Sequence, residues 1–129
     1  MKIAFLTTEL APLTNLGALG MTSRDLPAAL ARRGHDVTVW LPAYTTVLDS
    51  DRPFRDLTFM RPLQIPVGHS REAISLMEWR NRSGGYRVLI VDHPASFRRP
   101  GIYHDPKTGE DYADNARRWI VFQRGVLEG

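Results

Sequence analysis

The feature that most constrains this chain is a strand–loop–helix–strand pattern in its first forty residues. Lys2-Ile-Ala-Phe-Leu-Thr-Thr8 is a short, mostly apolar run of β-formers with one charge at its start. That composition suits a central strand covered on both faces. A loop over residues 9–20 carries Gly17 and Gly20, and a helix then runs to Arg33. Gly34 stops the helix as a glycine cap, behind Arg32 and Arg33, which suit its negative end. Asp36-Val-Thr-Val-Trp-Leu41 follows as a second strand, ended by Pro42. Strand–helix–strand order defaults to a parallel, right-handed βαβ unit. The fold class expected is therefore α/β, a Rossmann-like three-layer sandwich with the helix near residues 22–33 packed across two parallel neighbours.

Two details of that helix stay open at this level. If Thr22 or Ser23 caps it, Pro27 ends the first turn, where a missing N–H costs little. If it starts nearer Gly20, Pro27 should kink it. Either way Leu26, Ala29 and Leu30 offer a stripe toward the core.

Residues 42–59 are less regular, with Asp49, Ser50, Asp51 and Pro53 reading as a loop. A short extended piece is expected over residues 61–66. Residues 73–79 and 86–92 read as strands joined by Arg80-Asn-Arg-Ser-Gly-Gly85, too short for a parallel crossover, so they are antiparallel neighbours or unpaired. Residues 93–109 form a long loop rich in proline and arginine, and such loops tend to be functional or mobile. The chain ends in a helix from about Glu110 to Glu128, with Ala116, Trp119, Ile120, Val126 and Leu127 as its apolar stripe. Thr108 with Asp111 resembles a capping box for it.

Chemistry is expected where the first strand meets its loop. In open α/β sheets the loop leaving the carboxyl end of such a strand binds ligands, and the next helix start offers free N–H groups to phosphate. Gly17 and Gly20 match no strict dinucleotide fingerprint, so they read either as approach points for a diphosphate or as turn geometry. Glu9 either faces that site or is a solvated loop carboxylate. His35, His69, His93 and His104 are too scattered for a metal site, and none is expected.

Net charge is +3, carried almost wholly by arginine, with Lys2 and Lys107 the only lysines. The arginines run from Arg24 to Arg124 without a dense block, so they read as solvated surface groups and not as a nucleic-acid face. No apolar run approaches the roughly 20 residues of a spanning helix, so no membrane association is expected. The absence of cysteine fits a cytoplasmic home.

Three segments together resemble the N-terminal catalytic domain of bacterial glycogen synthases and plant starch synthases, GT-B enzymes that extend α-1,4-glucans from ADP-glucose. The first segment keeps Glu9, Pro12, Gly17, Leu19, Gly20, Leu26, Pro27, Ala29, Leu30, Gly34, Asp36, Val37, Leu41 and Pro42 of the family pattern. The second is Val91-Asp-His-Pro94. The third is Arg99-Pro-Gly-Ile-Tyr103 followed by Asp111-Tyr-Ala-Asp-Asn115 and Arg118. The resemblance implies a partial N-terminal half of a GT-B glycosyltransferase, one incomplete domain over residues 1–129. It implies weak donor-binding positions at Asn15, Gly17, Gly20 and Tyr103, with no catalytic residue assigned, no metal and no cofactor. ADP-glucose or an α-glucan would be the ligand, and a homo-oligomer or a partner subunit would supply the missing domain.

The departures from the family lie in the chemistry. Asn15 takes the place of its donor-binding lysine, Leu16 that of a threonine, Ala18 that of a glycine and Met21 that of an aspartate. A lysine there supplies a cation as the leaving group gains charge, and asparagine supplies none.

Overall fold

The computed structural model describes residues 1–49, 51–80 and 82–129. Ser50, in the loop expected after the second strand, and Asn81, in the connection after Arg80, lie outside the described residues. Among the described residues, six strands and four helices follow in the order β1 (Lys2–Leu6), α1 (Ala18–Arg32), β2 (Asp36–Pro42), α2 (Thr45–Leu48), β3 (Phe54–Asp56), β4 (Leu63–Val67), β5 (Ser70–Trp79), β6 (Arg87–Asp92), α3 (Pro94–Phe97) and α4 (Asn115–Glu128). The sheet order is β1-β2-β6-β5-β3, with β4 paired to the first half of β5.

β1, β2 and β6 are parallel, with Ala4 beside Thr38 and Leu41 beside Ile90. The βαβ expectation therefore holds. β5 returns antiparallel to β6, as the short connection between them requires. Val39, Leu41, Val88 and Ile90 are fully buried at the centre of the sheet. α1 covers one face, with Ala28 and Arg32 beside Trp79 and Tyr86. α4 covers the other, where Gly125 lies against Val91 and Ile74. These are the three layers.

β1 is not the central strand that its apolar run suggested. It forms one end of the sheet, with Ile3 and Phe5 half-buried and Lys2, Ala4 and Leu6 exposed. A short apolar run cannot tell a central strand from an edge strand whose one face meets a helix. Here α1 lies over β2, the neighbour of β1, while α4 lies over β4 and β6.

Each long helix buries only part of the stripe its apolar residues predicted: Leu30 of α1 and Trp119 and Val126 of α4 pack half-buried against the core, and the rest of each inward face is set by other residues. α1 begins at Ala18 and runs on through Pro27, burying Gly20, Ser23 and Pro27 while Leu26 stays exposed. The ring removes an N–H that would otherwise bond the Ser23 carbonyl, and the Ser23 hydroxyl is spent on Thr7 at 2.8 Å. α4 buries Arg118, Val121, Phe122 and Gly125, a clean i, i+3, i+4, i+7 set, and leaves Ala116, Ile120 and Leu127 exposed. It also begins five residues late. The Asp105 N–H donates to the Glu110 carbonyl at 2.9 Å, and His104 bridges Asp111, so the expected first turn is spent in a hairpin-like loop. Thr108 accepts from the Glu110 N–H at 3.2 Å, and Asp114 occupies the N-cap with no side-chain cap bond.

The close approach of α4 to the sheet depends on Gly125. A Cβ there would stand 2.7 Å from Val91 Cγ1 and 2.9 Å from Ile74 Cδ1. Gly125→Val is expected to lower the urea midpoint with an unchanged m-value, at a cost of about 1–3 kcal/mol from overpacking. An unaltered midpoint would show that the helix can lift at no cost.

Candidate functional site

The parallel order of β1, β2 and β6 brings the loops that follow them to one edge of the sheet. These connections begin with residues 7–17, 43–49 and 93–114, the second holding α2 and the third α3. A network of side chains with defined donors holds the first loop to the third. Glu9 is buried, 5% exposed. Its Oε1 accepts the Leu16 N–H at 3.0 Å, and its Oε2 accepts the Tyr103 hydroxyl at 2.7 Å. An ionised carboxylate only accepts, so the Tyr103 proton points to Glu9 and Thr8 Oγ1 donates to Tyr103 Oη across 2.6 Å. Glu9 is thus neither a solvated carboxylate nor a group free to meet a substrate. It positions the glycine loop.

Tyr103 is fixed at its other end as well. Its ring packs on Trp119 with centroids 6.1 Å apart, and its carbonyl accepts from Asn115 Nδ2 at 2.8 Å. Asn115 Oδ1 in turn receives Arg118 Nη1 at 2.8 Å. Arg118 is fully buried and donates to the Ser96 and Ile102 carbonyls at 2.6 and 2.7 Å, with Tyr112 and Trp119 rings 4.9 Å away. Burial pushes its guanidinium down from the ordinary value. Arg99 gives both terminal nitrogens to Asp114 at 2.6 Å each. Arg99 holds that carboxyl below the usual carboxylate range. Asp114 and Asn115 therefore brace the loop, and neither caps the helix.

The four positions expected to bind a donor do not share one hollow. Asn15 lines a cavity of about 350 Å³ with Tyr44, Arg99, Gly101 and His104. Tyr103 lines another of about 480 Å³ with Leu6, Leu19, Trp119 and Phe122. Gly17 sits at the N-cap of α1 with open space where a Cβ would be. Gly20 is buried, and a Cβ there would meet Asn15 Oδ1 and the Thr14 carbonyl at 2.9 Å each. Its glycine lets the loop fold onto the helix.

Gly101 plays the same part opposite, since its Cβ would come within 2.0 Å of the His104 carbonyl. Sequence reasoning passed over Gly101 and Tyr44. The first was legible only as one letter of the Arg99–Tyr103 motif, and the second carried no signal. His93 is buried away from these hollows, with Nδ1 2.8 Å from Ser96 Oγ and Nε2 3.2 Å from Glu72. Among the described residues no group of three or more His, Cys, Asp or Glu could hold a metal ion.

Comparison with known proteins places these features. Residues 2–129 match the family model described as the starch synthase catalytic domain. A glycogen synthase of Koribacter versatilis is 34% identical over 130 residues, covering 100% of this chain and 25% of that protein. A glycogen synthase of Aromatoleum aromaticum is 37% identical over 119 residues, covering 92% of this chain and 23% of that protein. Among solved structures, the catalytic domain of starch synthase IV from Arabidopsis thaliana bound to ADP and acarbose matches with a TM-score of 0.78. It is 26% identical, over 97% of this chain and 24% of that one. The chain thus spans about a quarter of the length of the curated relatives it matches.

The Glu9–Tyr103 bond makes a prediction at high pH. The Tyr103 hydroxyl is pushed up to about 12, chiefly by burial. Its folded value stands above the unfolded value of about 10, so its stabilising effect is full below pH 10 and is lost as pH rises toward 12. Tyr103→Phe is expected to cost about 1–3 kcal/mol at neutral pH, because Glu9 loses its donor. It should also flatten the fall in stability between pH 10 and 12. Urea titrations across that range check both, and an identical alkaline slope in the two proteins would refute the assignment.

Proposed function

The chain belongs to the starch synthase catalytic domain family, and on that premise we propose that its 129 residues form one unit of a glycogen/starch synthase-like domain that does not transfer glucose alone. The family reaction is retaining transfer of glucose from ADP-glucose to an α-1,4-glucan. One observation carries the proposal: Asn15 stands in the place of the donor lysine, at the mouth of a hollow whose lining offers no lysine to replace it. Arg99 on that wall is bound to Asp114, and Arg118 behind it is fully buried, with Nε and Nη1 bound to carbonyls and Asn115 and Nη2 unpaired among the described residues. A leaving diphosphate gains charge in the transition state, and stabilising it needs donors or cations aimed at that charge. Asn15, Gly17, Gly20 and Tyr103 remain as the donor-facing positions of a site whose charge is gone.

A second reading is favoured by how much of the scaffold is spared. Glu9, Tyr103, Asn115 and Arg118 form a closed bonding network around the loops. In that reading these residues are one wall of a cleft completed by further sequence or by a partner subunit. Otherwise the unit serves as a glucan-, nucleotide- or partner-binding module. Association is part of either reading: β1 ends the sheet, and Leu6 and Leu19 beside it are 42% and 45% exposed. No helix among the described residues is long and apolar enough to cross a membrane, and we place the protein in the cytoplasm.

Incorporation of labelled glucose from ADP-glucose into glycogen is expected to stay at the level of a no-protein control. Asn15→Lys alone is expected to leave it there. Clear incorporation by the unaltered chain overturns the proposal. Sedimentation at micromolar concentration is expected to show a dimer or larger species. A monomer with a cooperative melt would remove the partner argument.

A further inference from the structure

Glu78 gathers more positive charge than it needs. It is buried near the end of β5, with Arg55 of β3 directly opposite it in the sheet register. Arg55 Nη2 donates to its Oε2 at 2.7 Å, and Arg82 Nη2 and Arg87 Nε each donate to its Oε1 at 3.0 Å. One guanidinium is enough to neutralise a buried carboxylate, and burial explains one such partner. Three of them leave two positive charges in excess. Among the described residues no second carboxylate pairs with any of the three.

Stability gives little reason for the second and third arginine. The side chains of Arg55, Arg82 and Arg87 are 53%, 60% and 39% exposed. Ion pairs at such exposure contribute little, and each added guanidinium repels the others. The carboxylate instead fixes three forks that come from β3, from the β5–β6 connection and from the start of β6. Arg87 also lines a hollow of about 400 Å³ with Lys2, Thr38 and Trp40, where Asp36 is the acid on the lining. Lys2, Asp36 and Arg87 begin β1, β2 and β6, so this hollow lies at the sheet edge opposite Asn15 and Tyr103.

We propose that Arg55, Arg82 and Arg87 receive the phosphoryl group of a small phosphate monoester, with Glu78 as the template that orients them. Charge and shape both fit. A phosphate monoester carries about −1.5 to −2 near pH 7 and three acceptor oxygens, against two positive charges in excess and three guanidinium forks. Such forks match phosphate oxygens in paired bonds. Forks already held by a carboxylate lose less freedom when the anion arrives. Burial alone would raise Glu78, yet the guanidinium groups hold it below the usual carboxylate range, so the template stays charged in mild acid. The hollow beside Arg87 leaves room for the organic part of the ester.

Backbone amide and arginine Nε–H spectra of the full ¹⁵N-labelled chain decide the question, with methyl phosphate, sulfate and malonate added separately at constant ionic strength. Methyl phosphate and sulfate are expected to move the signals of Arg55, Arg82 and Arg87 saturably near neutral pH, and malonate to move them more weakly. Arg55→Gln should weaken methyl phosphate about three- to tenfold, the effect of one charge-assisted bond at a half-exposed position. Its melt should barely change, because Arg82 and Arg87 remain on Glu78. Arg82→Gln repeats the test from the β5–β6 connection. Protonation of the ester near pH 6 should weaken methyl phosphate about two- to fourfold by about pH 5.5 and leave sulfate unchanged. Malonate shifts as strong as those of methyl phosphate overturn the phosphoryl assignment. A drift of all exposed arginines without saturation, or unweakened binding in both variants, overturns the site. Shifts centred on residues 14–17 overturn the location.

Discussion

The interaction on which the rest of the site depends is the burial of Arg118. A guanidinium with no water around it must spend its donors on fixed acceptors or shed stability. Here the acceptors are the Ser96 and Ile102 carbonyls and Asn115 Oδ1, so one side chain ties α3, the following loop and the start of α4 together. The Tyr112 and Trp119 rings flank the cation at 4.9 Å, while its Nη2 has no hydrogen-bond partner among the described residues. From Asn115 the restraint passes to Tyr103, from Tyr103 to Glu9, and from Glu9 to the Leu16 N–H on the far side of the hollow. Two loops some ninety residues apart in the chain are thereby held in register.

This arrangement explains what the sequence made legible and what it hid. The βαβ unit was legible because Gly34, Asp36 and Pro42 mark boundaries that local chemistry imposes on any chain. The inward face of α4 was hidden because hydrophobic periodicity cannot place an arginine in a core. Arg118 takes a core position only because distant loops offer carbonyls, which is tertiary information. With Arg118 inward, Ile120 and Leu127 must face outward whatever their hydrophobicity. Pro27 in mid-helix is a similar case, since its ring is a buried contact of α1 despite the hydrogen bond it removes.

Charge elsewhere on the sheet obeys the same logic. The arginines read from composition as solvated surface groups are in several places structural. Arg55, Arg82 and Arg87 converge on the buried carboxylate of Glu78 at 2.7, 3.0 and 3.0 Å. Burial alone would push Glu78 up, but the three guanidinium groups more than offset it and hold it below the usual range. Arg117 and His93 do the same for Glu72, joining β5 to α4 and to the end of β6. A count of basic residues cannot show this, because pairing depends on which strands become neighbours.

Glu9 and Asn15, six residues apart on one loop, are constrained by folding to very different degrees. Glu9 is buried and bonded to two partners, so replacing it would leave a backbone N–H and a tyrosine hydroxyl unsatisfied. Asn15 is exposed, so a cation at that point contributes to ligand electrostatics and little to folding. The same holds for Leu16, Ala18 and Met21, each exposed on the loop or the first turns of α1. Folding stability therefore restrains the scaffold residues and leaves the charge-bearing positions free to change.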